Sequence, residues 1–223
     1  MNLNQMFSKR TIILGVVSCL LLTGCSVVAK IAPNKAATNT LSGREGINGP
    51  VLVVKIDDTT QAHPQIGLED ADIVYIEQVE GGLTRLAAVF SSVIPQRIGP
   101  VRSARISDIE IMAQYGRVAF AYSGAQRKLL PVITAANLQD LGAQRQSPTI
   151  FTTDPNRKQP FSMVLRADLL MQKVRDDAYQ IDSAKSVGFK FGSLQEGGTV
   201  TSKAVMHWPA AVYSATWSAD ENR

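Results

Sequence analysis

Apolar and polar positions alternate most tightly between Ala71 and Tyr115, which read ADIVYIEQVEGGLTRLAAVFSSVIPQRIGPVRSARISDIEIMAQY. Two runs suited to a pleated surface, Ile73–Val79 and Leu83–Phe90, flank Gly81-Gly82. A glycine pair between such runs predicts an antiparallel hairpin, because a tight turn needs positive φ. With a two-residue loop, Glu80 faces Leu83, Gln78 faces Arg85 and Ile76 faces Ala87. Glu80 and Arg85 then lie diagonally on one face. Ile73, Tyr75 and Val79 meet Leu86, Ala88 and Phe90 on the other, the candidate core face, with Glu77 as its polar exception. A slip of one residue reverses every facing.

The hairpin is followed by a basic segment, Arg97–Arg105, with Gly99-Pro100 inside it. Ser107-Asp108-Ile109-Glu110 has capping-box spacing and predicts a helix over Ile109–Tyr115, ended by Gly116. Val51–Ile56 is a continuous apolar run broken only by Lys55, as in an interior strand, and it ends in Asp57-Asp58. Val118–Tyr122 reads as a second short buried strand. Gln126–Asp140 is helical in composition and interrupted at Pro131; Gln144–Pro160 reads as loop. Met163–Tyr179 has Leu165, Leu169, Leu170, Val174 and Ala178 at helical spacing. The character changes near Ser183: Val187–Phe191, Thr199–Trp208 and Val212–Trp217 predict three short strands that stop on a turn. The expected fold is α+β over residues 49–182, a mixed sheet with a central hairpin and packed helices. The start of a β-rich second domain, cut short, is expected over 183–223.

The first residues change the picture from a free domain to an anchored one. Lys9-Arg10 precedes an apolar run, Thr11–Leu22, too short to span a bilayer comfortably, and the run ends in Leu22-Thr23-Gly24-Cys25. This order resembles a bacterial lipobox, in which cleavage precedes a cysteine that carries diacylglycerol. Residues 1–24 are thus expected to be a lipoprotein signal peptide, with lipid on Cys25 and 25–48 a tether. Both cysteines, Cys19 and Cys25, lie here, so the mature domain has no thiol for a disulfide, a nucleophile or a thiolate metal site. Net charge falls from +4 to +2 once Lys9 and Arg10 leave with the signal, which does not indicate a nucleic-acid binder.

Pro50–Asp58 (PVLVVKIDD), His63-Pro64-Gln65, Ala71–Tyr75 (ADIVY), Val79–Arg85 (VEGGLTR) and Ile98–Arg105 (IGPVRSAR) resemble, in this order, the YerB-like lipoprotein family. The resemblance is good over Pro50–Tyr179, and Val187–Arg223 is similar to the start of that family's β-rich C-terminal domain. It implies a signal-anchored, two-domain envelope protein and carries no established catalytic residue.

The sharpest chemical feature is Arg102, Ser103 and Arg105 ahead of the predicted helix, with Arg85 within possible reach. Arginine forks match carboxylate and phosphate oxygens, and a helix start favours an anion. These four residues are the anion-binding candidates. Asp57, Asp58, Glu77 and Glu80 are the supporting acids, and they also offer a plainer role for the arginines, ion pairs that lock the fold. His63 and His207 have no metal-ligand spacing, and no cofactor or metal is expected. Ser103, His63 and Asp57 make a conceivable triad that no motif supports. Trp208, Tyr213 and Trp217 suit either a sugar-binding strip or hairpin packing. The reading is a lipid-anchored, extracytoplasmic binding or regulatory module of the bacterial envelope. Its expected partners are the cytoplasmic membrane and an envelope protein or wall polymer. The alternative is an envelope enzyme acting on a phosphorylated lipid-linked or glycopolymer substrate.

Overall fold

The computed structural model describes residues 37–192, 196–199 and 201–219; the signal segment, Cys25 and the tether before residue 37 lie outside them. Ten strands and three helices are described. In order they are β1 (Leu52–Asp57), β2 (Ile73–Gln78), β3 (Thr84–Phe90), β4 (Arg97–Ile98), α1 (Ser107–Ala113), β5 (Val118–Ala121) and α2 (Leu130–Ala135). Then come β6 (Leu138–Asp140), β7 (Phe151–Thr153), β8 (Met163–Arg166), α3 (Ala167–Asp176), β9 (Lys203–Trp208) and β10 (Ala211–Thr216). The fold is α+β, as expected.

Five strands form the central mixed sheet in the order β2-β3-β1-β5-β6. β1 runs antiparallel to β3 and parallel to β5. Because successive side chains point to opposite faces, β1 feeds two cores. Leu52, Val54 and Ile56 pack with Leu86, Ala88 and Phe90 under α3 and the small sheet β4-β8-β7. Val51 and Val53 pack with Ala87, Val89 and Phe120 under α1 and α2. Each face is covered, which is why the apolar run of β1 hardly alternates.

The central hairpin forms, with a register one residue away from the two-residue-loop expectation. Glu77, not Gln78, faces Arg85, and Tyr75 faces Ala87. Gly81 and Gly82 both take φ near +70°, and the connection widens to Val79–Leu83, closed by the Val79 N–H donating to the Leu83 carbonyl at 2.8 Å. Ile73 and Tyr75 therefore join Ala87 and Val89, while Leu86, Ala88 and Phe90 face the opposite core. A sheet buried on both faces gives hydrophobicity no preference between the two registers.

Other boundaries move too. The run Met163–Tyr179 is not one helix: Met163–Arg166 is strand β8, pairing with β4 and β7, before α3 begins. Of Gln126–Asp140 only α2 and a preceding 3₁₀ turn are helical, and its end is β6. Strand β7 lies inside the expected loop. Residues 37–48, expected as tether, are part of the domain wall. Leu41 is 2% exposed and packs in the α1-side core. Asn39 is buried, and its side chain donates to the Ile47 carbonyl at 2.8 Å and accepts from the Leu41 N–H at 2.9 Å. In the β-rich part β9 and β10 make a two-stranded sheet, and Val187–Phe191 is not a strand.

Candidate functional site

The polar residues collect where the sheet runs out of neighbours. β5 pairs with β1 only over Leu52–Val54. Beyond that point the basic segment takes its place: the Asp57 N–H donates to the Pro100 carbonyl and the Arg102 N–H to the Lys55 carbonyl, each at 2.8 Å. Val101 bridges Ile56, so Arg102 turns to the other face, beside Lys55 and Asp57. Across the strands Asp57, Arg85 and Glu77 lie in register. One face of one sheet end thus holds Lys55, Asp57, Glu77, Arg85 and Arg102.

Its inner part is closed. Lys55 is 0% exposed; its Nζ donates to Glu77 and, at 2.8 Å, to Asp108 Oδ1. The Ser107 hydroxyl donates to Glu77, and the Arg105 N–H to Asp108 Oδ2 at 2.6 Å. Burial pushes the Asp108 carboxyl up to about 6, with the Lys55 charge opposing and the Glu77 charge adding. The capping box is absent: Ser107 makes no cap and spends its hydroxyl on Glu77. α1 spans seven residues and its start faces the protein's own carboxylates, so the expected anion place beside a helix N-terminus is already filled.

The outer part is looser. Asp57 accepts from Arg102 Nε and, at 2.8 Å each, from the N–H and the hydroxyl of Thr59, and Arg85 Nη1 lies 3.8 Å away. Burial alone would raise the Asp57 carboxyl; the Thr59 bonds, Arg102 and the Arg85 charge together hold it below the usual carboxylate range. Arg85, 8% exposed, donates through Nη1 to the Thr84 carbonyl, and its buried Nε has no partner among the described residues. Burial, then the Arg102 and Arg105 charges, lowers Arg85 against the pull of Asp57. The Arg102 guanidinium also lies over the Phe161 ring, 5.4 Å from its centre. Arg105 pairs with Glu80 at 2.8 Å and bonds the Ala104 carbonyl at 3.0 Å. Glu80 meets Arg105, not Arg85 as the diagonal pairing required. Among the described residues the Ser103 hydroxyl reaches only Ser123 Oγ, at 3.5 Å.

Asp58, the next residue along, points to the other face. Its Oδ1 is 3.2 Å from both His63 Nε2 and Gln65 Nε2; its Oδ2 accepts from Thr84 Oγ1 at 2.6 Å and from the Tyr213 hydroxyl of β10. Burial, followed by the bond to Asp58, pushes the Tyr213 phenol up to about 12 and keeps it a donor. His63 belongs to Asp58 and Asp57 to the arginines, so the Ser103–His63–Asp57 triad is not assembled. Trp208 packs edge-on against Tyr213 at 4.9 Å, the hairpin-packing role. Among the described residues no group of three His, Cys, Asp or Glu is arranged to hold a metal, and no helix is long and apolar enough to cross a membrane.

The structure thus brings Arg85 and Arg102 together on Asp57, joins Arg105 to Glu80, and leaves Ser103 aside. Lys55, Asp108 and Thr84 escaped the sequence reading as site residues, and Tyr213 was read there only as part of an aromatic strip or hairpin packing, not as a partner of Asp58. Lys55 had a signal: a lysine inside an interior strand needs a buried carboxylate partner.

Comparisons with known proteins agree with this fold. The family profile described as "Protein of unknown function (DUF3048) N-terminal domain" matches residues 37–180. The protein named "Putative lipoprotein YerB" from Bacillus subtilis (strain 168) is 50% identical over 56 residues, 25% of this chain and 17% of that one. The crystal structure of YerB from Bacillus subtilis superposes with a TM-score of 0.59 at 24% identity, over 67% of this chain and 53% of the solved one. The likeness to the solved chain is one of fold, and this chain spans about half of its length.

Proposed function

The chain belongs to the DUF3048 family, whose function is unknown, and from that premise we propose that it is a lipid-anchored, extracytoplasmic binding or regulatory module of the bacterial cell envelope. The anchor rests on the lipobox-like Leu22–Cys25 and on the name of its Bacillus subtilis relative. The observation that favours binding over catalysis is the saturation of the acids. Asp57, Asp58, Glu77 and Asp108 each already accept from the protein's own donors. A carboxylate with its oxygens engaged is a poor general base.

The test is fractionation of cells making the wild type or Cys25→Ala. Wild type is expected in the membrane fraction with a lipid label, and the variant in the soluble extracytoplasmic fraction. Equal membrane retention with no label on the wild type would sink the anchor. In-cell crosslinking of the anchored form then identifies the partner.

A second reading has its own support. Arg85 and Arg102 share one carboxylate, leaving a local excess of one positive charge, and the buried Arg85 Nε is unmatched. Such a pair suits a phosphate group of a lipid-linked or glycopolymer substrate. Loss of phosphate binding in Arg102→Ala with folding retained would favour this enzyme reading.

A further inference from the structure

On the Asp58 side of the sheet end, two clefts of about 610 and 520 Å³ adjoin, sharing Gln61 and His63. The first runs from these residues past Thr84 to Tyr213 of the β9–β10 hairpin; the second runs past Asn156 to Phe161. Together they form one groove. Each half falls within the range of about 300–1,000 Å³ typical of ligand sites. Such sites are mostly apolar. This groove instead presents hydroxyls, side-chain amides and an imidazole, with apolar surface at the Leu83–Val212 end and at the Phe161 ring.

The walls are tied together by bonds that make no use of a ligand. Arg157 donates to the Ala62 carbonyl at 2.7 Å and to the Pro64 carbonyl at 2.5 Å, and its Nε lies 3.3 Å from Asp154. That clamps the loop after β7 to the turn after β1. On the opposite wall, Tyr213 and Thr84 both bond Asp58, which fixes β10 to the same turn. The Asp58 carboxylate also orients His63, whose side chain remains 52% exposed to the groove. Asp58, Asp154 and Arg157 are consumed in building these walls, and exposed Lys158 adds one cation at the Phe161 end. Between the ends the groove offers hydroxyls, side-chain amides and the His63 imidazole, between two apolar surfaces.

We propose that this groove binds a linear polysaccharide, a run of pyranose or N-acetylhexosamine rings lying from Tyr213 to Phe161. Sugar hydroxyls and acetamido groups match Gln61, His63 and Asn156. The C–H faces of the rings match Phe161 at one end and Leu83 with Val212 at the other. Phe161 is backed by Arg102 on one face, so the ring is fixed in place. An extended peptide would be held by an open strand edge and side-chain pockets; here the shared middle of the groove, Gln61 and His63, is a turn. This inference deepens the binding-module reading and rests on it only for the location of the glycan.

The test uses the full-length protein in mild detergent, titrated calorimetrically with chitohexaose, dextran and hexa-alanine. Saturable binding of at least one glycan and none of the peptide is expected. Gln61→Ala and Asn156→Ala change exposed side chains and should leave thermal unfolding unchanged. Each should weaken glycan binding about three- to tenfold, as the loss of one neutral hydrogen bond does. His63→Ala is expected to act in the same direction. Absence of saturable binding to both glycans overturns the proposal, as does glycan binding that both variants leave untouched. Peptide binding that these variants abolish also overturns it. If glycan binding stands while the Cys25→Ala fractionation fails, the anchor falls and the groove assignment survives.

Discussion

The two halves of the charged sheet end differ in who needs whom. In the inner half one lysine serves two carboxylates, Glu77 and Asp108, away from water. In the outer half one carboxylate, Asp57, serves two arginines, Arg85 buried and Arg102 part-exposed. The inner half is buried and short of positive charge, so it holds a proton more readily; the outer half is short of negative charge, so it has donors to spare. Sheet position alone produces this split. Lys55 and Asp57 point the same way two residues apart, but α1 covers the first and only the basic segment flanks the second.

The comparison breaks hardest at Lys55. Lys55→Met strands two buried carboxylates, and losing one partner of a buried pair costs about 3–5 kcal/mol. Thermal melts should show a fall in Tm of the order of 10 °C. A fall within about 2 °C would mean that the inner half contributes little to holding the sheet end.

Asp108 sharpens the same contrast through pH. Its carboxyl takes a proton at about 6 in the folded chain and at about 3.9 when unfolded. Between these values the folded state binds more protons, so stability falls as pH rises from about 4 to 6. Denaturant melts of Asp108→Asn should lack this component, and an unchanged slope across that window would refute it. Asp57 acts with the opposite sign: its lowered value gives stability that is lost as pH falls below the ordinary aspartate range. The two effects therefore occupy different windows.

The smallest effects belong to the rim. Glu80 is 61% exposed, so Arg105→Ala should cost no more than about 1 kcal/mol. Arg102→Ala removes a charged hydrogen bond to buried Asp57 as well as the cover of Phe161, and a bond of that kind is worth about 1.5–3 kcal/mol. Parallel urea titrations should rank Arg102 above Arg105; the reverse order would mean that the surface pair holds the basic segment.

Much of this was legible in advance, and the gaps have causes. β1, the hairpin and β5 were readable because their apolar runs are dense. β8 was missed because Met163-Val164-Leu165-Arg166 continues smoothly into α3, and period cannot separate a short buried strand from the first turn of a helix. The arginines were found by composition. Asp57 and Glu80, which pair with them, stood among the acids named beside them; Asp108 and Tyr213 were not placed, because Asp108 sits within an apparent capping box and Tyr213 lies 155 positions from Asp58. Sequence spacing gives local pairs; the joining of β1 to β10 is a property of the folded chain.

The adjacency of Asp57 and Asp58 has a consequence for how this strand tolerates change in length. One backbone step separates the arginine side from the groove side. A single residue inserted between Val51 and Asp57 would shift all that follows onto the opposite face. Asp57 would then take the place of Asp58 beside Thr84 and Tyr213, and Ile56 would take the place of Asp57 against the arginines, while Lys55, where the insertion precedes it, would be pressed into the apolar core beneath α3. The arginines would lose their carboxylate and the groove turn would be displaced by one residue in the same event. β1 is therefore a counted element: point substitutions along it test one site at a time, and an insertion tests both.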